Sequence, residues 1–310
     1  MKSWFKYSIY VSLLFLLIAL HQANFFIVPE VYSIFDLIIS FVLLFSSFIV
    51  GAICWKEVLK KNHYHIQARE CLASVGLTVF AKYLPGKILT IIGRAVYVGD
   101  KNSLPVHKLS SISLDAQLIT LWLGLIFGAL GIFLLGGVRI WGWLILLLWV
   151  GLTAIIFCQL PRSSAEYLIK KILKKNVTLP RLATKSVFAV LPWFILYWTL
   201  SSASFYMLVN SLTSIDVPLS VGLGFPLAGS LGVMAFIVPG GLGVREGALV
   251  VYLSLAGLSV PVATTISIAS RLWYLVGEVF IFFVGWMADR INSWPKTEKL
   301  DQPVSKHISL

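Results

Sequence analysis

Apolar runs long enough to cross a bilayer recur at about 7–28, 33–55, 110–135, 140–160, 186–209 and 262–288. A transmembrane helix needs roughly 20 consecutive apolar residues, and a lipid-exposed segment must satisfy its own backbone, so each run predicts a helical span. The two-residue alternation of a membrane barrel is absent from them. Two further regions, about 71–100 and 218–260, are equally apolar but are interrupted by proline and glycine. The pattern predicts an all-α integral membrane protein, a polytopic helical bundle. It has about six full spans plus two broken, re-entrant regions, or eight spans if the broken regions cross fully. Residues 1–288 form the transmembrane domain and 289–310 a cytoplasmic tail. Met1–Lys6 and the apolar run after it look like a signal peptide, but no clear small-x-small site follows, and the run is expected to remain as a first span.

The breaks are where polar residues enter. The first reads K-Y-L-P-G-K-I-L-T-I-I-G-R from Lys82 to Arg94, with Pro85, Gly86 and Lys87 at its centre. The second reads I-V-P-G-G-L-G-V-R-E-G-A from Ile237 to Ala248, with Pro239, Gly240 and Gly241 before Arg245 and Glu246. Proline removes a backbone donor and glycine permits close approach, so both regions are predicted to break and then restart as helix. A restarted helix offers free N–H groups and a dipole that favours an anion. If both are re-entrant, they enter from opposite faces and meet near the midplane, an arrangement found in transporters. If not, Pro239–Gly241 is a cytoplasmic turn between two spans. In the last run, Arg271, Tyr274 and Glu278 share one helix face. That face is either a wall of the same cavity or a structural ion pair, Arg271 with Glu246 or Glu278 with Arg245.

Charge sharpens the picture. The chain of 310 residues is 58% hydrophobic and 12% charged, with formal net charge +12. A soluble domain carries about twice that charged fraction. The basic residues lie between the apolar runs, so the excess reads as an orientation signal, and no nucleic-acid partner is expected. Of 25 Lys and Arg, 19 fall in connections on one side and Arg139 alone falls opposite, which predicts cytoplasmic termini. The basic connection 161–185 also suits anionic lipid headgroups. Lys82, Lys87, Arg94, Arg245 and Arg271 remain within or beside apolar segments, against Asp115, Glu246 and Glu278. Five cations against three anions leaves an excess of two, which suggests an anionic ligand, unless Lys82 and Lys87 reach out to the surface. Asp115 reads as a residue near a helix start.

The K-Y-L-P-G-K…G-R, V-P-G-G-L-G-V-R-E-G-A-L and S-R-L-W-Y segments resemble the transmembrane flippase-like domain of the lysylphosphatidylglycerol synthetase family. The resemblance covers nearly the whole chain and implies a multi-pass protein of the bacterial cytoplasmic membrane that moves or handles lipid. In two-domain members a separate soluble domain makes the aminoacylated lipid; no counterpart follows the last span here, so synthase activity is not expected. The implied ligand is an anionic, aminoacylated or glycosylated lipid. Its candidate binding residues are Arg245, Glu246, Arg271, Glu278, Arg94, Lys87 and Tyr274, with Pro85, Gly86, Pro239, Gly240 and Gly241 as breaks or hinges.

Other chemistry is weakly signalled. Gly241-x-Gly243 follows no strand and lacks the P-loop lysine, so no nucleotide cofactor is expected. His63 and His65 lack nearby carboxylates, and Cys54, Cys71 and Cys158 lack metal spacing, so no metal is expected. Gly124-x-x-x-Gly128 permits close helix packing. Two alternatives to a lipid translocase stay open. One is a membrane transferase using a lipid-linked substrate, with Glu246 as the acid or base. The other is a non-catalytic partner of lipid- or polysaccharide-synthesis enzymes.

Overall fold

The computed structural model describes residues 30–83, 88–136, 140–158, 184–235 and 241–292. Among them are nine α-helices and no strand, as the sequence predicts. They are α1 (Ile34–Lys61), α2 (Ala68–Thr78), α3 (Ile88–Asn102), α4 (Val106–Leu134), α5 (Ile140–Phe157), α6 (Thr184–Leu212), α7 (Gly224–Met234), α8 (Val244–Leu255) and α9 (Val260–Asn292). The helices α1, α4, α6 and α9 are long and apolar enough to cross a membrane. The predicted span at 140–160 is an 18-residue helix, and that at 7–28 lies outside the described residues. The last helix runs past the predicted boundary at 288, to Asn292, because Asp289 is tied back to the bundle. Its carboxylate accepts from Tyr97 at 2.5 Å and from Lys101 at 3.2 Å.

Several helix ends and hydroxyls are satisfied locally, as an apolar solvent favours. The Ser33 hydroxyl caps α1 by accepting from the Asp36 N–H at 3.3 Å. Ser47, Ser74 and Thr78 donate to carbonyls three or four residues back in their own helices.

The α1 and α6 helices form an antiparallel pair. The Tyr32 N–H donates to the Ser211 carbonyl at 2.8 Å, and the Ser204 hydroxyl to the Ser40 carbonyl at 2.5 Å. Helix α9 runs alongside α1: Gly277 abuts Leu44 and Phe48, and the Phe45 and Phe280 rings stack at 4.2 Å.

Both interrupted regions fold as hairpins of short helices. In the first, α2 continues into a 3-10 segment (Val79–Tyr83), and α3 returns after the break. In the second, a 3-10 segment (Leu219–Leu223) leads into α7, and α8 returns. Helices α2 and α7 have 11 residues each and α8 has 12. At 1.5 Å per residue, and 2.0 Å in the 3-10 segments that extend α2 and α7, the hairpin arms rise roughly 18–27 Å, short of the hydrocarbon core.

Their contacts fix their depth. In the second hairpin, Leu223 and Tyr252 pack on Gly131, near the end of α4, and Ser230 meets Gly124 closer to the middle of that helix. The Ser267 hydroxyl on α9 donates to the Glu246 carbonyl at the tip. The first hairpin enters from the other end. Gly76 lies against Gly285, and Lys82 and Tyr83 reach Glu278. Residues 271 and 278 both fall near the middle of the 33-residue α9. The hairpins are therefore re-entrant, and they meet halfway. The alternative of a full crossing, with a turn at Pro239–Gly241, is not what forms.

The two hairpins also separate the charges. Asn102 binds Glu70 at 3.0 Å and Lys101 binds Asp289, which brings the ends of α3 and α9 and the start of α2 to one face. Lys56, Lys60, Lys61, Arg69, Lys108, Lys185 and Arg290 lie at helix ends on that side. The described connections on the other side carry no Lys or Arg.

Small residues let the hairpins seat. A Cβ at Gly76 would collide with the Ile281 carbonyl and the Gly285 backbone, and one at Gly128 with Leu227. Close approach of this kind is the usual basis of helix association in lipid, where burial of apolar surface gives no drive. Gly76→Leu is expected to destabilise the folded protein by about 1–3 kcal/mol, the usual range for overpacking. Gly151→Leu, at a position with open space around it, should leave stability unchanged. Thermal unfolding of the detergent-solubilised protein followed by size-exclusion chromatography distinguishes the two.

Candidate functional site

The last helix grips each hairpin tip with one ion pair. Glu278 is fully buried on α9. One of its oxygens meets the Lys82 ammonium and the other accepts from the Tyr83 hydroxyl at 2.7 Å. Two turns earlier on the same face, Arg271 lies 3.3 Å from Glu246 of the second hairpin. The shared face predicted for Arg271, Tyr274 and Glu278 thus points into the bundle. The pairing of Arg271 with Glu246 forms as one of the structural alternatives proposed. Glu278 takes Lys82 rather than Arg245, because the first hairpin brings Lys82 and Tyr83 to it. Lys82 consequently does not reach out to the surface; it turns inward, with its ammonium 4.7 Å from the Tyr274 ring centre.

The second tip depends on backbone that only glycine adopts readily. Gly241 has φ 70° and sits against the Gly232 backbone with no room for a Cβ. Gly243 has φ 80°, and its N–H donates to Glu246 at 2.7 Å, closing the first turn of α8. One Glu246 oxygen therefore caps its own helix while the other faces Arg271. Gly241 lies between α7 and α8. Pro85, Gly86, Lys87, Pro239 and Gly240 lie outside the described residues, as does most of the 161–185 connection.

Arg245 and Arg94 have no carboxylate within ion-pairing distance among the described residues. Arg245 is 7% exposed, and its guanidinium lies 4.8 Å from the Phe225 ring and 4.6 Å from the Tyr274 ring. One of its terminal nitrogens has no hydrogen-bond partner. Arg94 stacks 4.9 Å from the Trp55 ring and donates to the Ser113 hydroxyl at 2.5 Å and carbonyl at 2.6 Å. Contacts with ring faces and neutral oxygens stabilise a guanidinium without neutralising it.

These cations border a central cavity of about 490 Å³. Lys82, Arg94, Arg245 and Tyr274 line it together with Trp55 and Gln117. Arg271, Glu246 and Glu278 are not among its lining residues; Arg271 is paired with Glu246, and Glu278 with Lys82. Of the cations at the tips, Lys82 is paired with Glu278 and Arg271 with Glu246, which leaves Arg94 and Arg245 without a paired carboxylate among the described residues. Asp115 is not at a helix start: it is the tenth residue of α4 and is 4% exposed. No group of residues that could hold a metal ion occurs among those described. Sequence reasoning missed Trp55, Thr90, Gln117 and Ser230 as cavity residues. Each looks like an ordinary span residue until the hairpins are folded against it.

A family model described as lysylphosphatidylglycerol synthase TM region matches residues 4–285. No curated protein and no solved structure matches the chain.

Breaking a buried ion pair from one side is costly, at about 3–5 kcal/mol, because the partner charge is stranded. Lys82 keeps some exposure, so Glu278→Gln should fall at the lower end, near 3 kcal/mol. Lys82→Met combined with Glu278→Gln should recover more than half of that loss. A double-mutant cycle on thermal unfolding measures the coupling, and additive effects would show that the pair holds nothing in place.

Proposed function

The chain belongs to the lysylphosphatidylglycerol synthase TM-region family, and on that premise we propose that it is a lipid translocase. The family and the helical architecture make it a multi-pass membrane protein of lipid metabolism. The observation that carries the finer reading is the midplane cavity. It has two cations without a neutralising carboxylate, and it is built by two half-depth hairpins from opposite faces. A phosphate headgroup entering it replaces its hydration shell with charge-assisted hydrogen bonds from Arg94 and Arg245. The acyl chains stay in the bilayer. Opening the hairpins alternately towards the two faces moves the headgroup across.

In this reading the basic end lies in the cytoplasm of a bacterial cell and the protein sits in the cytoplasmic membrane. The 161–185 connection, with its run of Lys and Arg, rests on anionic headgroups there. Enzymes of lipid or polysaccharide synthesis are the natural suppliers of its substrate. The transferase reading receives less support, because both oxygens of Glu246 are engaged, by Gly243 and Arg271.

The test is lipid movement by purified protein in liposomes carrying a fluorescent anionic phospholipid. The reading predicts protein-dependent movement that falls at least about tenfold in Arg245→Ala, as expected when a charge-assisted contact is removed. The variant should keep its elution profile. Equal movement by the variant, or none by the parent protein, contradicts the reading.

A further inference from the structure

The two ion pairs on α9 differ in what can reach them. Neither Arg271 nor Glu246 is a lining residue of the cavity, and Glu246 is held a second time by the Gly243 N–H. A guanidinium stays charged and presents a rigid fork, so that pair is fixed. Lys82 belongs to a pair and to the cavity at once. Its ammonium meets Glu278, yet its side chain lines the cavity and stays 27% exposed, whereas that of Glu278 is fully buried. Lysine carries a point charge on a flexible stem, so it can turn to a new anion. Lys82 and Arg245 also flank one ring, Tyr274, at 4.7 and 4.6 Å from its centre. A phosphate drawn in by Arg245 therefore competes with Glu278 for Lys82.

Little else could replace that ammonium. The 3-10 segment of the first hairpin gives Glu278 only Lys82 and the Tyr83 hydroxyl. Its own helix offers Tyr274 and Arg271, and Arg271 is engaged with Glu246. Helix α8 offers Arg245, whose charge acts on Glu278 without pairing with it. Helix α6 offers Tyr197, in hydrogen-bond contact with Tyr274. Helix α1 presents Leu44 and Phe48 at the neighbouring Gly277. Helix α7 has no ionisable residue, and those of α2 (Arg69, Glu70 and Cys71) stand in its first turn, at the far end. A buried carboxylate that loses its counter-ion is costly, and neutralisation by a proton relieves the cost.

We propose that Glu278 is a proton site coupled to the cavity through Lys82, so that one proton enters with each anionic headgroup. The proposal rests on the lipid-translocase reading and adds the ion that travels with the lipid. The contact between Lys82 and Glu278 Oε1 breaks, a contact between Lys82 and a phosphate oxygen forms, and Oε1 takes one proton from water by way of the cavity. Glu278 Oε2 accepts from Tyr83 in both states, so Tyr83 positions the acid. The group is neutral before, as Lys82 with Glu278, and neutral after, as Lys82 with the phosphate. Release of the lipid returns Lys82 to Glu278 and the proton to water. Loosening the grip on the first hairpin is the change that an alternating opening requires, and buried acids in membrane transporters serve this purpose.

The experiment titrates the full chain in neutral-lipid nanodiscs with short-chain phosphatidylglycerol, whose phosphodiester does not titrate near neutral pH. Calorimetry in two buffers of different ionisation enthalpy counts the protons. About one proton should be taken up per lipid bound, and affinity should fall as pH rises. Glu278→Gln should bind the lipid with no uptake. Lys82→Met combined with Glu278→Gln, which strands no charge, should also bind without uptake, more weakly, and serves if the single variant misfolds. Asp115→Asn, which removes the buried acid of α4, should keep the uptake. Binding by the parent protein without proton uptake, uptake that survives in either Glu278 variant, or uptake lost in folded Asp115→Asn overturns the inference; lipid movement in liposomes then still upholds the translocase reading. Uptake without lipid movement supports the proton site and overturns the translocase reading. Absence of lipid binding overturns both.

Discussion

Everything in the middle of this protein depends on two ion pairs made by one face of α9. Glu278 holds Lys82 of the first hairpin, and Arg271 holds Glu246 of the second. The pairs sit two helical turns apart, near the centre of the longest helix, and their polarity is opposite. Charges at this depth are expensive unless paired, so each pair specifies where its tip must stop. Short helices cannot reach the far side, and the glycines at 76, 124 and 128 let them lie close enough to be gripped.

That arrangement explains why the cavity is positive. With Lys82 and Arg271 balanced by the two acids, Arg94 and Arg245 are left facing aromatic rings and neutral oxygens. A site whose cations are held by ring faces keeps its field available for a ligand. The acids serve as scaffold, and in the proposed translocase the two guanidiniums would serve as the binding surface.

Much of this was legible in the sequence. The run lengths set the long helices, because the thickness of the bilayer constrains them directly. The Pro-Gly breaks marked the hairpins, and the spacing of Arg271, Tyr274 and Glu278 showed a shared face. The charge partners were only half legible. Arg271 with Glu246 was among the options, whereas the pairing of Glu278 with Lys82 needed the depth of the first hairpin, which no local pattern encodes. The same holds for Asp115, whose burial on α4 follows from neighbouring elements. Trp55, Thr90 and Ser230 gain meaning only from what they face, because in an apolar span a single hydroxyl or indole carries no signal of its own.

The central claim is that the second hairpin stops at mid-depth, and a pair of distances measures it. Spin labels at Val244, at the tip, and at Leu219 and Arg290, at the two ends of the bundle, are read in lipid bilayers with Cys158 replaced by serine. All three positions are exposed. The account predicts that Val244 lies at comparable distances from Leu219 and from Arg290, each on the order of 25–30 Å by helical rise. A Val244 label close to Arg290 and some 40 Å from Leu219, as a full crossing would require by the same rise, would contradict it.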